Sequence, residues 1–251
     1  MQRYPHHPII QSPNRALNPV TCKYRSHWRV IHAIGYHHFM STADLQVQLD
    51  TLLTEVRACT LCEELLPLDP RPILRAHSDA RILIIGQAPG TRVHQSGVPW
   101  DDPSGIRLRE WLDVTPDEFY DVRRFAIIPM GFCYPGKDKR SGDNPPRPEC
   151  APHWHKKLLD LLPNVKLTLL IGNYAQHYYL REQAAKTLTE TVRQWKTLAP
   201  DYIPAPHPSP RNIRWRKSNP WFEEEVVPVL RARTRKLLGP SGTQPEVGRD
   251  T

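Results

Sequence analysis

The chain has 251 residues, enough for one α/β domain with a buried core and too few for two comfortable ones. Its formal net charge of +8 points to an anionic partner, because a basic face steers toward phosphate and gains affinity by releasing counterions. No run approaches the roughly 18 apolar residues of a membrane span, and the N-terminus lacks the apolar stretch of a signal peptide, so the expectation is a cytoplasmic, non-membrane protein.

Residues 1–39 mix His, Pro, Arg and aromatics with no period of two or 3.6, and are expected to form a poorly ordered extension. After Met40, a Ser/Thr cap leads into an amphipathic helix through Leu45, Leu49, Leu52, Leu53 and Val56, so a start at Met40 is the alternative to an extension. The expected domain covers residues 40–238, and the polar, turn-forming residues 239–251 are expected to be a disordered tail.

Within that domain, residues 80–86 (ARILIIG) form a short, apolar run ending in Gly, the pattern of a central parallel strand buried on both faces. Residues 125–128 and 167–172 repeat it, and a fourth, weaker strand includes Tyr202, Ile203 and Pro204. Helices are predicted near 104–112, 151–162, 173–180, 187–197 and 220–238. Alternation of this kind predicts a three-layer α/β/α domain around a four-stranded parallel sheet, with its site at the carboxyl ends of the strands.

Three constellations follow. Gly86, Gln87, Ala88, Pro89 and Gly90 close the first strand, and GVPWDDPSG, with Trp100 and Asp102, leads into the next helix. Small residues there let backbone N–H groups approach a ligand, although a tight turn alone uses the same residues. His207, Pro208, Ser209, Pro210, Arg211 and Asn212 follow the last strand. A His fixed between prolines can donate to a developing negative charge and its loop can wedge into a duplex; an ordinary surface turn is the other explanation. Finally, Cys59-x2-Cys62, Cys133 and Cys150 are four of five cysteines. In a reducing compartment they suggest ligation rather than disulfides, with buried core thiols as the alternative, and the spacing does not separate zinc from iron.

Taken together, GQAPG, GVPWDDPSG, HPSPRN and the four-cysteine framework resemble the uracil-DNA glycosylase superfamily, over about residues 45 to 237. Within it, the cysteine framework is similar to that of the iron-sulfur, thermophile-type members. The resemblance implies a monomeric, DNA-binding repair enzyme associated with the nucleoid, which flips a deaminated base out of DNA and hydrolyses its N-glycosidic bond. It also implies a [4Fe-4S] cluster on Cys59, Cys62, Cys133 and Cys150, with zinc as the alternative. His207 would stabilise the departing base, and Trp100 would stack on it. Gln87 and the backbone of Gly86, Ala88, Pro89 and Gly90 would contact base and water, while Ser209, Pro210, Arg211 and Asn212 would probe the duplex. Ala88 replaces a side chain that some relatives use to activate water, which moves that role to Asp102; a helix N-cap is the competing role for Asp102.

One departure concerns the base itself. Relatives place an Asn shortly before the third cysteine to read the pyrimidine edge, whereas this chain has Pro129, with neither a side-chain amide nor a backbone N–H. Uracil or another deaminated base therefore fits, and a DNA-binding protein that does not cut is the alternative function. A nucleotide-binding protein or small-molecule hydrolase on a doubly wound sheet lacks its motifs, since neither GxGxxG nor GxxxxGK[ST] occurs.

Overall fold

The computed structural model describes residues 42–138, 142–198 and 201–239. The expectations for residues 1–39 and for the tail beyond Gly239 lie outside these residues. Four strands form the centre: β1 (Ile82–Ile85), β2 (Phe125–Ile127), β3 (Leu167–Ile171) and β4 (Tyr202–Ala205). All pairings are parallel and the spatial order is β2-β1-β3-β4. Pro204 cannot donate to a ladder, and it is tolerated because β4 is an edge strand.

Strand side chains alternate between two cores. Leu83, Ile85, Ala126 and Leu170 pack on one side with α1 (Thr42–Arg57), α5 (Cys150–Asp160) and α6 (Asn173–Leu180). Ile82, Ile84, Phe125, Ile127, Leu167, Leu169, Ile171 and Ile203 pack on the other. There they meet α3 (Pro103–Leu112), α4 (Pro116–Tyr120), α7 (Leu188–Arg193) and α10 (Val227–Leu238). The result is the three-layer α/β/α arrangement expected of strands that are apolar on both faces.

Several boundaries differ from the periodicity. The helix predicted at 187–197 is two pieces, α7 and α8 (Trp195–Leu198). The predicted 220–238 helix opens as a π-turn over Phe222–Val226 before α10. Pro228, in the first turn of α10, has no N–H for the i→i−4 ladder, and a widened turn absorbs the lost bond. Short helices α2 (Thr91–Ser96), α4 and α9 (Ile213–Ser218) were not anticipated. α4 nevertheless carries a sequence signal: Thr115 and Glu118 form a reciprocal capping box with Pro116 at the first position.

Candidate active site

The carboxyl ends of β1, β2 and β4 surround a hollow. Its lining joins the turn after β1 (Gly86, Gln87, Ala88, Pro89, Gly90) to Trp100 and Asp102, to Pro129 after β2 and to His207 after β4. Segments far apart in the chain are thus brought together as the motifs imply. Ile73, Val93, Pro99 and Ile127 complete the lining; Ile73 and Val93 carried no sequence signal beyond being apolar.

The walls are laced by backbone. Met130 N–H donates to the Gly86 carbonyl at 2.9 Å and Gly131 N–H to the Gln87 carbonyl at 3.0 Å, fixing the post-β1 and post-β2 turns to each other. Gln87 Nε2 donates to the Asn144 carbonyl at 3.1 Å, so one face of that side chain is already engaged.

Trp100 holds a backbone φ of +60°, a region that costs a bulky residue about 1–3 kcal/mol and persists only where the surroundings enforce it. They do so here from two sides. A Cβ on Gly86 would come within 2.9 Å of the indole Cζ2, and one on Gly105 would overlap the Trp100 carbonyl. Both positions must lack a side chain for the indole to sit as it does. The Tyr120 hydroxyl donates to the Pro99 carbonyl at 3.1 Å and steadies the preceding residue.

The Trp100 and His207 rings lie 5.4 Å apart, tilted by 30°. A flat ring inserted between them would need two van der Waals gaps, about 7 Å in all, more than this spacing provides. Burial pushes the His207 imidazole below its ordinary pKa, against the opposing pull of Asp102 and Asp143. It is therefore neutral at pH 7, with one N–H to donate. Asn212 Nδ2 donates to the His207 carbonyl at 2.8 Å, and Ser209 Oγ accepts from Arg211 N–H at 3.2 Å. Ser209, Pro210, Arg211 and Asn212 do not line the hollow; Pro210 and Arg211 are exposed beyond it, and Asn212 orients the His207 loop.

Asp102 is the N-cap that its competing role required, and it also borders the hollow. Its Oδ1 accepts from Gly105 N–H at 2.8 Å, capping α3. Ala88 contributes no polar side chain.

A second hollow, of about 400 Å³, lies beside the first and is lined by Cys59, Cys62, Cys133 and Cys150, with Pro70, Pro72, Phe132, Arg147 and Trp154 around them. Burial pushes the Cys133 thiol up to about 11 and Cys150 up to about 12, and with the nearby Glu149 it also raises Cys62. Four soft ligands on one hollow suit zinc or an iron-sulfur cluster. Trp154, only 6% exposed, adds an indole N–H with no acceptor among the described residues. Also among the described residues, no group of three or more His, Cys, Asp or Glu side chains is placed to hold a single metal ion.

No helix of the described residues is long and apolar enough to cross a membrane. A family model described as the uracil DNA glycosylase superfamily matches residues 75–231. Cys133 and Cys150 fall inside that span, while Cys59 and Cys62 precede it. The matched stretch holds all four strands and every residue lining the first hollow except Ile73. A match of that extent, over the sheet and the site it carries, means that the chain belongs to the uracil DNA glycosylase superfamily.

Proposed function

We propose that this protein removes uracil or another deaminated base from DNA by hydrolysing its N-glycosidic bond. The observation that carries the reading is the neutral His207 beside Trp100 in a hollow at the carboxyl ends of the strands. In this account the basic protein holds the phosphates, the Ser209–Asn212 loop probes the strand, and the target base leaves the stack at a cost of a few kcal/mol. As the C1′–N bond breaks, its electron pair moves onto the base, and the His207 N–H donates to the charge that develops there. Water adds to C1′, and its proton passes to Asp102, whose cap to Gly105 fixes the carboxylate's orientation.

The hollow supports a broad reading of the base. Pro129 offers neither an amide nor an N–H to the base edge, so fit within a mostly apolar cavity outweighs edge reading. We assign a [4Fe-4S] cluster to Cys59, Cys62, Cys133 and Cys150, with zinc as the alternative. When bound, the cluster would clamp the loops that carry the cysteines.

Ala88 and Pro129 also suit a protein that binds damaged or single-stranded DNA without cutting it. The test is base release by anaerobically purified protein from matched oligonucleotides carrying uracil, hypoxanthine, xanthine or no lesion. The glycosylase reading expects alkali-labile sites at one or more lesions, lost in His207→Ala. Binding to every oligonucleotide with cleavage of none would establish the binding protein instead. Colourless, zinc-loaded protein would overturn the cluster assignment.

A further inference from the structure

Behind the Pro129 wall lies a buried polar link that the chemistry above does not use. His155, on α5 and five residues after Cys150, is 1% exposed. Its Nε2 lies 3.0 Å from the Pro129 carbonyl oxygen and its Nδ1 lies 2.6 Å from the Tyr179 hydroxyl on α6. A carbonyl only accepts, so Nε2 carries the proton and bare Nδ1 accepts from the Tyr179 O–H. Burial holds the imidazole near a pKa of about 4, so the ring stays neutral at physiological pH and this tautomer is the one the partners select. The ring also stacks on Phe132, with centroids 5.6 Å apart and planes 8° from parallel.

Pro129 lines the first hollow and Phe132 the second, so His155 touches the walls of both. Pro129 has no N–H, and its carbonyl is the only backbone group through which that residue can be hydrogen-bonded in place. An imidazole with both nitrogens engaged and one face stacked has no rotational freedom left to share with the wall.

We propose that His155 is a positioning residue for base recognition: it holds the Pro129 carbonyl, and with it the hollow wall against which an extruded base is fitted, to the helix bearing Cys150. This rests on the hollow being the base pocket. A misplacement of about 1 Å in such a wall costs on the order of 100-fold in rate. Because a misplaced wall disturbs fit more than strand binding, the loss belongs in kcat.

The test is steady-state base release from single-stranded oligonucleotides carrying uracil or hypoxanthine, with oligonucleotide affinity and melting temperature measured alongside. The proteins are wild type, His155→Leu, His155→Gln and Tyr179→Phe. His155→Leu is expected to lower kcat roughly 10- to 100-fold, with affinity for undamaged oligonucleotide unchanged and the preference between the two bases narrowed. His155→Gln, which can still donate to Pro129, should recover most of kcat, and Tyr179→Phe should fall between. Equal losses on both bases, no recovery with Gln, or unchanged kcat in His155→Leu would each overturn the inference while leaving the glycosylase reading intact. If His155→Leu does not fold, Tyr179→Phe decides by the same criteria, and an unchanged kcat there is the contrary result. Wild type that releases no base overturns the glycosylase reading and this inference with it.

Discussion

The two hollows are lined by neighbouring stretches of chain, without a residue in common, and are built on different principles. Pro70 and Pro72 line the thiol hollow and Ile73 the other; Pro129 lines the first hollow, with Gly131, Phe132 and Cys133 lining its neighbour. The Ile73 N–H donates to the Phe132 carbonyl at 2.8 Å and stitches one lining to the other. The first hollow is set by the backbone, through prolines, glycines at 86 and 105 that leave room for the Trp100 ring and carbonyl, and a Trp in a left-handed conformation. The thiol hollow is set by side chains, and burial favours the protonated form of Cys133 and Cys150, so these two thiols would release a proton on binding a metal. The difference teaches that backbone shape fixes the first hollow, whereas the proposed cluster would complete the second, and the two linings come together along residues 70–73 and 129–133.

Breaking the thiol side alone gives the largest expected effect. With the proposed cluster on the four cysteines, Cys133→Ser should abolish the visible absorption and iron content of anaerobically purified protein, lower the melting temperature, and reduce any base release as a consequence; unchanged iron would remove Cys133 from the proposed ligand set.

Acid comes next, through the group that joins the hollows. His155 sits near a pKa of about 4 in the fold against about 6.5 in the unfolded chain, so unfolded protein takes up the proton first as pH falls. Stability is therefore complete above about pH 6.5 and decreases down to about pH 4, by about 3 kcal/mol in all. His207, also held below its ordinary value, acts in the same direction. Denaturant titrations at pH 7 and pH 4.5 should show this loss in the wild type and a smaller one in His155→Gln.

A comparable or smaller effect tests the backbone-built side. Gly105→Ala should cost about 1–3 kcal/mol, because the new methyl overlaps a carbonyl rather than a movable side chain. Gly86→Ala, which meets only the indole edge, should cost less and should lower base release more than stability. Equal, negligible effects of both would show that the Trp100 loop adapts freely.

The smallest expected stability change separates the two roles of Asp102. Asp102→Ala should lose the cap, about 1 kcal/mol, whereas Asp102→Asn keeps it. If the carboxylate orients water, Asp102→Asn loses rate without losing stability; full activity in Asp102→Asn would leave Asp102 as a cap only.

The sheet was legible because Ile82–Ile85 and Leu167–Ile171 are buried on both faces and so lack polar interruptions. Trp100, Asp102 and His207 were legible from their motifs and do meet in one hollow. Helix α2 was not, since its six residues are too few and too polar to show a period. The π-turn before α10 depends on the missing N–H of Pro228, which periodicity does not report. The Asn212 amide donates to the His207 carbonyl, a contact within the loop that the motif does not report. His155 shares the buried stripe of Ala151, Trp154 and Leu158, yet its role depends on Pro129, 26 residues away, and no local pattern encodes that meeting.

The central claim is that a neutral His207 donates to the departing base, and single-turnover base release from pH 8 down to pH 5.5, in wild type and His207→Ala, tests it most directly. The account predicts a wild-type rate that stays level through pH 6.5, because the neutral donor persists below the ordinary titration range, and a loss of about 100- to 1,000-fold in His207→Ala at every pH. A wild-type rate that climbs with protonation near pH 6.5, or His207→Ala protein as fast as wild type, would contradict it.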